Sequence, residues 1–225
     1  MKFNNIEINI QDFNKIGLRI SGGADSAILL QLLCETITAE RKPGQAHIQP
    51  FTVNLDIKPW NPYYVDQVLD FTKEKYPDID IRPLISAPCT EETYVTAQAQ
   101  IELDNPDLFE IVFGGVTSNP LESDTDWGYI YGNSVWEMRS KNRDQDKERR
   151  LYYWHRERKH WKSYPFRKTD KKGIAALYDL LNVRKTLFPL TRSCEGTAKE
   201  TNFFDYQCGK CWWCKERIYG FGSLE

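Results

Sequence analysis

Apolar residues occur along this chain in short runs that alternate with longer amphipathic or charged stretches. The runs are rich in β-branched and aromatic residues and predict four buried strands, at residues 15–20, 48–55, 79–85 and 109–116. The stretches between them predict helices at residues 27–40, 63–75 and about 91–103. Strands that alternate with helices indicate βαβ units, so we expect an α/β fold with a doubly wound, Rossmann-like parallel sheet.

Residues 122–164 interrupt this rhythm with many aromatic and many charged side chains. Between Lys141 and His160 there are eight Lys or Arg and four Asp or Glu, a local balance of 8 − 4 = +4. The segment is either a solvated insertion with a few packed aromatic residues or a lid that faces a substrate. A helix is predicted again at residues 171–182. We therefore expect a nucleotide-binding α/β domain over residues 1–190 and a cysteine-rich segment over residues 191–225.

Composition limits the class of protein. Hydrophobic residues make up 40% of the 225 residues, enough for a substantial core. The formal net charge of −2 argues against gross binding to nucleic acid or to a membrane surface. No run approaches the roughly 20 apolar residues of a membrane span, and the first residues lack the apolar centre of a signal peptide. We expect a cytoplasmic protein, in which the six cysteines need an explanation other than disulfide bonds.

The stretch S-G-G-A-D-S lies between the first predicted strand and the first predicted helix. Gly22 and Gly23 allow the backbone to approach a ligand closely, and the helix N-terminus that follows attracts an anion. Ser21 and Ser26 offer hydroxyl donors, while Asp25 is placed to open the helix and to hold a magnesium ion. The spacing matches neither a P-loop NTPase nor a dinucleotide-binding motif. We expect a phosphate-binding loop made of Ser21, Gly22, Gly23, Ala24, Asp25 and Ser26.

Four cysteines lie near the end of the sequence. Cys208, Cys211 and Cys214 have the spacing C-x2-C-x2-C, and Cys194 precedes them. Four thiolates around one tetrahedral ion form a structural zinc site that is closed to further ligands, although an iron–sulfur cluster uses the same ligands. Of the remaining cysteines, we expect Cys34 in the core and Cys89 near a cleft. The three histidines form no recognisable catalytic pattern.

The loop S-G-G-x-D-S resembles the signature of the PP-loop ATP pyrophosphatases. The C-terminal third is similar to the 7-cyano-7-deazaguanine synthase family in the stretches YPFRKTDKKGI, TRSC and CGKCWWCKER. The resemblance implies cleavage of ATP between its α- and β-phosphates, catalytic roles for Asp25 and Lys171, and a zinc knuckle at the cysteines. It also implies ATP or pyrophosphate contacts at the ends of the second and fourth strands, namely Val53, Asn54, Gly114 and Gly115.

This resemblance implies an ATP-dependent ligase. Such an enzyme adenylates a carboxylate on a 7-deazapurine and converts it with ammonia to an amide or nitrile, using ATP, Mg²⁺ and a structural zinc ion. The stretch SDTDWGYIYG departs from the family's substrate-facing pattern but retains Asp126, Gly128 and Tyr129 as candidate substrate-binding residues. Two alternatives stay open: a PP-loop enzyme that modifies tRNA, and a non-catalytic nucleotide-binding protein. A homodimer is also left open.

Overall fold

The computed structural model describes residues 1–56, 58–132, 141–146 and 148–225. Its helices are α1 (Ala24–Glu40), α2 (Asn61–Lys75), α3 (Tyr94–Asp104), α4 (Trp127–Tyr131), α5 (Lys171–Leu180) and α6 (Trp212–Phe221). Its strands are β1 (Lys2–Phe3), β2 (Ile6–Glu7), β3 (Lys15–Arg19), β4 (His47–Leu55), β5 (Asp80–Ile81), β6 (Ile85–Cys89), β7 (Ile111–Gly114), β8 (Tyr152–His155) and β9 (His160–Ser163). No helix in this described part combines the length and apolarity needed to cross a bilayer.

The main sheet confirms the predicted doubly wound fold. Its strand order is β5–β4–β3–β7–β9–β8, with β6 also paired to β4. The strand pairs of this sheet are parallel except for β8 with β9. The chain runs from β3 through β4 towards one edge and then returns to β7 on the other side of β3. Strand order therefore reverses between β3 and β7, where sheets of this kind form a ligand-binding crevice at their carboxyl ends.

Helices cover both faces of the sheet, so its central strands are buried. On one face, α1, α2 and α5 pack over the strands in a core that includes Leu18 and Ile28. On the other face, α3 covers a smaller cluster that includes Ile101 and Phe109. Gly17 in β3 faces this second cluster, and a Cβ atom on it would lie 2.6 Å from Cδ1 of Phe109. The close approach of the Phe109 ring therefore requires glycine at this position.

The third predicted strand is interrupted at a proline. Instead of one run over residues 79–85, β5 and β6 pair with β4 on either side of residues 82–84. Pro83 has no N–H to donate to the ladder, and its carbonyl accepts a hydrogen bond from Gln49 Nε2 at 2.7 Å. The predicted starts of the first two helices are also too late, since α1 begins at Ala24 and α2 at Asn61.

The predicted insertion over residues 122–164 contains part of the sheet. β9 pairs in parallel with β7, and β8 forms the outer edge of the sheet beside it. The hydrophobic pattern missed both strands because their side chains are unusual for strands. Tyr152 and Trp154 of β8 are exposed, while β9 buries the polar His160 and Lys162. The lid hypothesis also covers residues 133–140, which lie outside the described part of the chain.

Candidate functional site

A cavity of about 520 Å³ lies at the carboxyl ends of β3, β4 and β7. Its wall is formed by the residues after β3, the end of β4, the residues after β7, and the segment around Cys194. The basic lining residues are Arg19, Lys58, Lys171 and Arg192, and the acidic ones are Asp25, Glu91 and Glu195. The cavity therefore occupies the crevice that the reversal of strand order creates.

The predicted phosphate loop forms one wall of this cavity. Gly22 has φ +69°, and a Cβ atom on it would lie 2.8 Å from Cβ of Tyr64, so the turn requires glycine. Gly23 is the N-cap of α1, and no side-chain hydrogen bond from the described residues caps this helix. The N–H groups of its first turn are therefore left for an anionic ligand. Ser26 Oγ donates to Gly23 O at 3.1 Å and accepts from Ser21 N at 3.2 Å, so its hydroxyl stabilises the turn.

Asp25 and Lys171 form an ion pair at the cavity wall. The helix α5 begins at Lys171, after the N-cap Asp170, and this places the lysine Nζ against Oδ2 of Asp25. Lys171 is only 4% exposed, so it is not the solvated lysine that a helix start ordinarily carries. The other oxygen, Asp25 Oδ1, is buried and has no hydrogen-bond partner among the described residues. An unpaired carboxylate oxygen beside a phosphate loop is a suitable ligand for Mg²⁺.

The predicted ATP contacts of the loop and of the strand ends divide into two groups. Val53, Gly114 and Gly115 line the cavity with the loop, whereas Gly22, Ala24 and Asn54 do not contribute to its wall. A Cβ atom on Gly115 would lie 3.1 Å from the backbone nitrogen of Ser26. The end of β7 therefore packs directly against the first turn of α1, with no space for a side chain.

The chain segment before Cys194 runs alongside the phosphate loop. The backbone N–H of Arg192 donates to Gly22 O at 2.9 Å. The Arg192 guanidinium donates to the carbonyls of Phe204 and Tyr206 at 2.9 and 2.8 Å. Its Nε is buried and makes no hydrogen bond within the described residues. A buried cation with a free N–H beside the loop is suited to an anionic ligand.

Behind Arg19, several cations share one buried carboxylate. Glu102 is fully buried and accepts hydrogen bonds from Arg19 Nε at 3.0 Å, from Arg158 Nη1 at 2.8 Å and from Lys162 Nζ. Burial raises the pKa of Glu102, but His160, Arg19 and Lys162 outweigh it and hold this pKa well below its ordinary value. Burial, together with the charge of Arg19, lowers the pKa of Lys162 to about 7.

The four predicted metal ligands come together at one point. The Sγ atoms of Cys194, Cys208, Cys211 and Cys214 all lie within 4.8 Å of one another. The backbone N–H groups of Gly196 and Cys208 donate to Cys194 Sγ at 3.1 and 3.2 Å, which favours a thiolate. Hydrogen bonds from the Cys211 and Cys214 thiols lower the pKa of Cys194. Four sulfur donors at this spacing fit one tetrahedral ion, and Cys194 also lines the cavity.

The other two cysteines lie apart from this cluster. Cys34 is buried in α1, as predicted. Cys89 is buried at the end of β6 in the small core under α3, and it is not among the residues that line the cavity. Burial raises the pKa of both thiols.

The candidate substrate-binding residues lie elsewhere. Asp126 caps α4 by accepting a hydrogen bond from Gly128 N at 2.7 Å. Tyr129 is exposed, and Lys215 Nζ lies 5.5 Å from the centre of its ring. None of the three lines the described cavity. The capping of α4 accounts for Asp126 and Gly128 in structural terms.

Sequence reasoning missed several residues of the cavity wall. Arg19 and Arg192 supply charge, while Tyr94, Tyr164 and Trp213 supply aromatic surface. Only Arg19 carried a recognisable signal, because it is a charged residue that directly follows residues 16–18 of a predicted buried strand. The aromatic residues come from distant parts of the sequence, and only the folded topology brings them together.

No protein-family model and no curated protein matches this chain. Among solved structures, it is similar to a U34-tRNA thiolase, NcsA from Methanococcus maripaludis with its 4Fe–4S cluster, at 14% identity and a TM-score of 0.49. The similarity covers 84% of this chain, and the chain spans 65% of the length of the thiolase.

Proposed function

We propose that this protein is an ATP-dependent enzyme that adenylates a carboxylate and transfers the resulting acyl group to ammonia. The proposal rests on one observation, which is that three features suited to binding phosphate share the wall of one cavity. An uncapped helix N-terminus, the pair of Asp25 with Lys171 and the buried Arg192 all lie there, beside the carboxyl ends of the central strands. This arrangement concentrates positive potential where a triphosphate would lie.

The proposed chemistry follows from the charges of the reactants. A carboxylate oxygen attacks the α-phosphorus of ATP, the bond to the bridging oxygen breaks, and its electron pair leaves with pyrophosphate. The N–H groups of the loop and the Lys171 ammonium stabilise the charge that develops on pyrophosphate. Asp25 Oδ1 offers a ligand to Mg²⁺. Ammonia then displaces AMP and gives an amide, and a second activation of that amide would give a nitrile.

We assign the cysteine cluster to a structural zinc ion. The four sulfur atoms lie within 4.8 Å of one another, a spacing that suits ligands of a single ion. In an iron–sulfur cluster of four irons each sulfur would bind a different iron, and the sulfurs would lie further apart. Four protein ligands leave no open coordination position, so the ion would hold residues 191–225 in place and take no part in the chemistry.

The test uses the deazapurine that the sequence resemblance implies. The purified protein is incubated with ATP, Mg²⁺, ammonium and 7-carboxy-7-deazaguanine, and pyrophosphate and the products are followed by enzymatic coupling and mass spectrometry. We expect pyrophosphate, AMP and an amide or nitrile, and we expect Asp25→Asn to abolish all three while folding normally. Turnover by Asp25→Asn at the wild-type rate would contradict the role given to the loop. The absence of any pyrophosphate release would favour a non-catalytic nucleotide-binding protein.

A second candidate function is modification of tRNA, and the β8–β9 edge supports it. Tyr152 and Trp154 are exposed on β8, with Arg156 and Lys159 in the turn that follows. Exposed aromatic rings beside basic residues are typical of surfaces that stack bases and contact phosphates. A gel shift with tRNA across a salt series tests this function. Binding that weakens with salt and is lost in Trp154→Ala would favour the RNA substrate over the small molecule.

A further inference from the structure

One part of the cavity wall is built around Arg19. Arg19 is the last residue of β3, only two positions before the loop residue Ser21, and both side chains line the cavity. Gln98 and the rings of Tyr94 and Tyr164 line the same cavity with it. The Arg19 side chain is 21% exposed and lines the cavity, so a ligand there can reach it.

Hydrogen bonds from α3 hold this guanidinium in a fixed orientation. Its Nε and Nη2 donate to Glu102 Oε1 at 3.0 and 2.5 Å, and its Nη1 donates to Gln98 Oε1 at 3.2 Å. A guanidinium has five N–H donors, so the described contacts leave one on each terminal nitrogen. N–H groups on both terminal nitrogens of one guanidinium can donate to a carboxylate.

The charge of Arg19 is not neutralised by its partner, because Glu102 also serves two other cations. Arg158 Nη1 lies 2.8 Å from Glu102 Oε2, and Lys162 Nζ contacts the same oxygen. His160 Nε2 lies 3.2 Å from it. The two arginines alone exceed the single carboxylate by one positive charge. Of the cationic residues around Glu102, Arg19 is the one that lines the cavity. The excess positive charge of the cluster therefore reaches the cavity through Arg19.

We propose that Arg19 binds the carboxylate of the acyl substrate. The proposal rests on the proposed adenylating function and names a substrate-binding residue in the same cavity. Phe51, Tyr94 and Tyr164 provide aromatic surface around Arg19, which suits a flat ring. The guanidinium offsets the repulsion between the substrate carboxylate and the anionic α-phosphate that it must approach. Arg19 therefore contacts the reacting group directly.

The experiment measures binding, so that it does not depend on turnover. Isothermal titration calorimetry is performed on protein saturated with Mg²⁺ and α,β-methylene-ATP, using 7-carboxy-7-deazaguanine and its neutral carboxamide. We expect the wild type to bind the carboxylate roughly 10- to 100-fold more tightly than the carboxamide. We expect Arg19→Met to lose that preference and Arg19→Lys to keep part of it, with nucleotide affinity unchanged within about twofold. Arg82→Met is the matched control, since Arg82 is half exposed beside Asp80 at the sheet edge.

The outcomes separate this inference from the proposed function. If the wild type does not bind the carboxylate, or binds the carboxamide equally well, Arg19 is not a carboxylate-binding residue; this comparison needs no variant. The same conclusion follows if folded Arg19→Met keeps the preference for the carboxylate. If binding depends on Arg19 but the wild type releases no pyrophosphate, the Arg19 subsite stands and the adenylating function fails.

Discussion

At the scale of single residues, Lys171 and Lys172 are neighbours with different surroundings. Lys171 is buried against Asp25, whereas the Lys172 ammonium lies 4.5 Å from the centre of the Tyr219 ring and outside the cavity wall. We expect Lys171→Ala to lower kcat and kcat/KM together by about 10²–10³, with ATP affinity nearly unchanged, because its charge acts on the departing pyrophosphate. Steady-state kinetics with 7-carboxy-7-deazaguanine measure this effect.

Lys172→Ala is the control for that prediction, since it removes the same charge one position along α5. It should remain within a few-fold of the wild type. An inactive Lys172→Ala beside an active Lys171→Ala would move the catalytic position by one residue. Full activity in both variants would remove the start of α5 from the ATP site.

The second prediction at this scale concerns Glu102. Its cationic neighbours hold its pKa in the folded protein below the ordinary value of 4.5. The carboxylate therefore contributes stability that is fully present above about pH 4.5 and is lost as the pH falls further. Thermal unfolding should show a steep fall in Tm between about pH 5 and pH 3 for the wild type, and a shallower fall for Glu102→Gln.

Glu7→Gln provides the comparison, because Glu7 is an exposed glutamate on β2. Its profile of Tm against pH should follow that of the wild type. Glu102→Gln also lowers the overall stability, because it leaves the neighbouring cations without a carboxylate. The test therefore compares the slopes of Tm against pH and not the Tm values themselves. Equal slopes for Glu102→Gln and the wild type would show that Glu102 does not titrate as proposed.

Sequence reasoning reached some residues of the site and missed others for a physical reason. Asp25 and Gly23 belong to a local motif in which strand, turn and helix start are consecutive, so a short window contains the whole signal. The pairing of Lys171 with Asp25 links positions 146 residues apart and could be reached only through the family resemblance. The hydrogen bond from Arg192 to Gly22 joins residues that are even further apart in the sequence, and nothing local to Arg192 reveals it.

At the scale of elements, the hydrophobic pattern succeeded where most residues of a strand are apolar and buried. β3 and β4 are of this kind, and both were predicted within one residue of their observed bounds. β9 was missed because it is a central strand with polar side chains, whose charge is compensated by Glu102 of α3. A pattern that counts apolar residues cannot recognise a strand that is buried through an ion-pair cluster.

The prediction at this scale concerns the 3₁₀ helix Lys141–Arg143. The Arg143 side chain crosses to α6 and pairs with the fully buried Glu216 at 3.0 Å, and its Nε donates to Thr117 O at 2.9 Å. We expect Arg143→Met to lower the free energy of unfolding by roughly 3–5 kcal/mol, because Glu216 would be left as a buried unpaired charge. Urea denaturation measures the change.

Two comparisons make that prediction specific. Adding Glu216→Gln to Arg143→Met should restore part of the lost stability, since a buried amide is less costly than a buried charge. Arg184→Met removes an exposed pair with Asp179 and should change the free energy of unfolding by less than about 1 kcal/mol. Similar losses in Arg143→Met and Arg184→Met would contradict the buried role of Arg143.

At the scale of the whole molecule, the cysteine cluster and the phosphate loop share one piece of chain. Residues 191–194 lead from the backbone hydrogen bond between Arg192 and Gly22 directly into the first metal ligand. At the other end of the cluster, α6 packs against α5, and a Cβ atom on Gly220 would lie 2.5 Å from Cβ of Lys171. Both sides of the candidate ATP site are therefore supported by the segment that the metal would hold.

The final prediction is that the metal stabilises the ATP site without taking part in the reaction. Elemental analysis should find one zinc ion per chain, and Cys211→Ser should lose it together with thermal stability, because metal binding at such a site is coupled to folding. Hydrogen exchange should then increase over residues 191–225 and over the loop at residues 21–26, while β5 and the adjoining end of β4 stay protected. ATP affinity should fall as the loop loses its support from Arg192.

Cys89→Ser is the matched control and should retain the full metal content, because Cys89 lies outside the cluster. Iron and sulfide in the purified protein would overturn the assignment of zinc. An unchanged loop after metal loss would show that the two sites are independent.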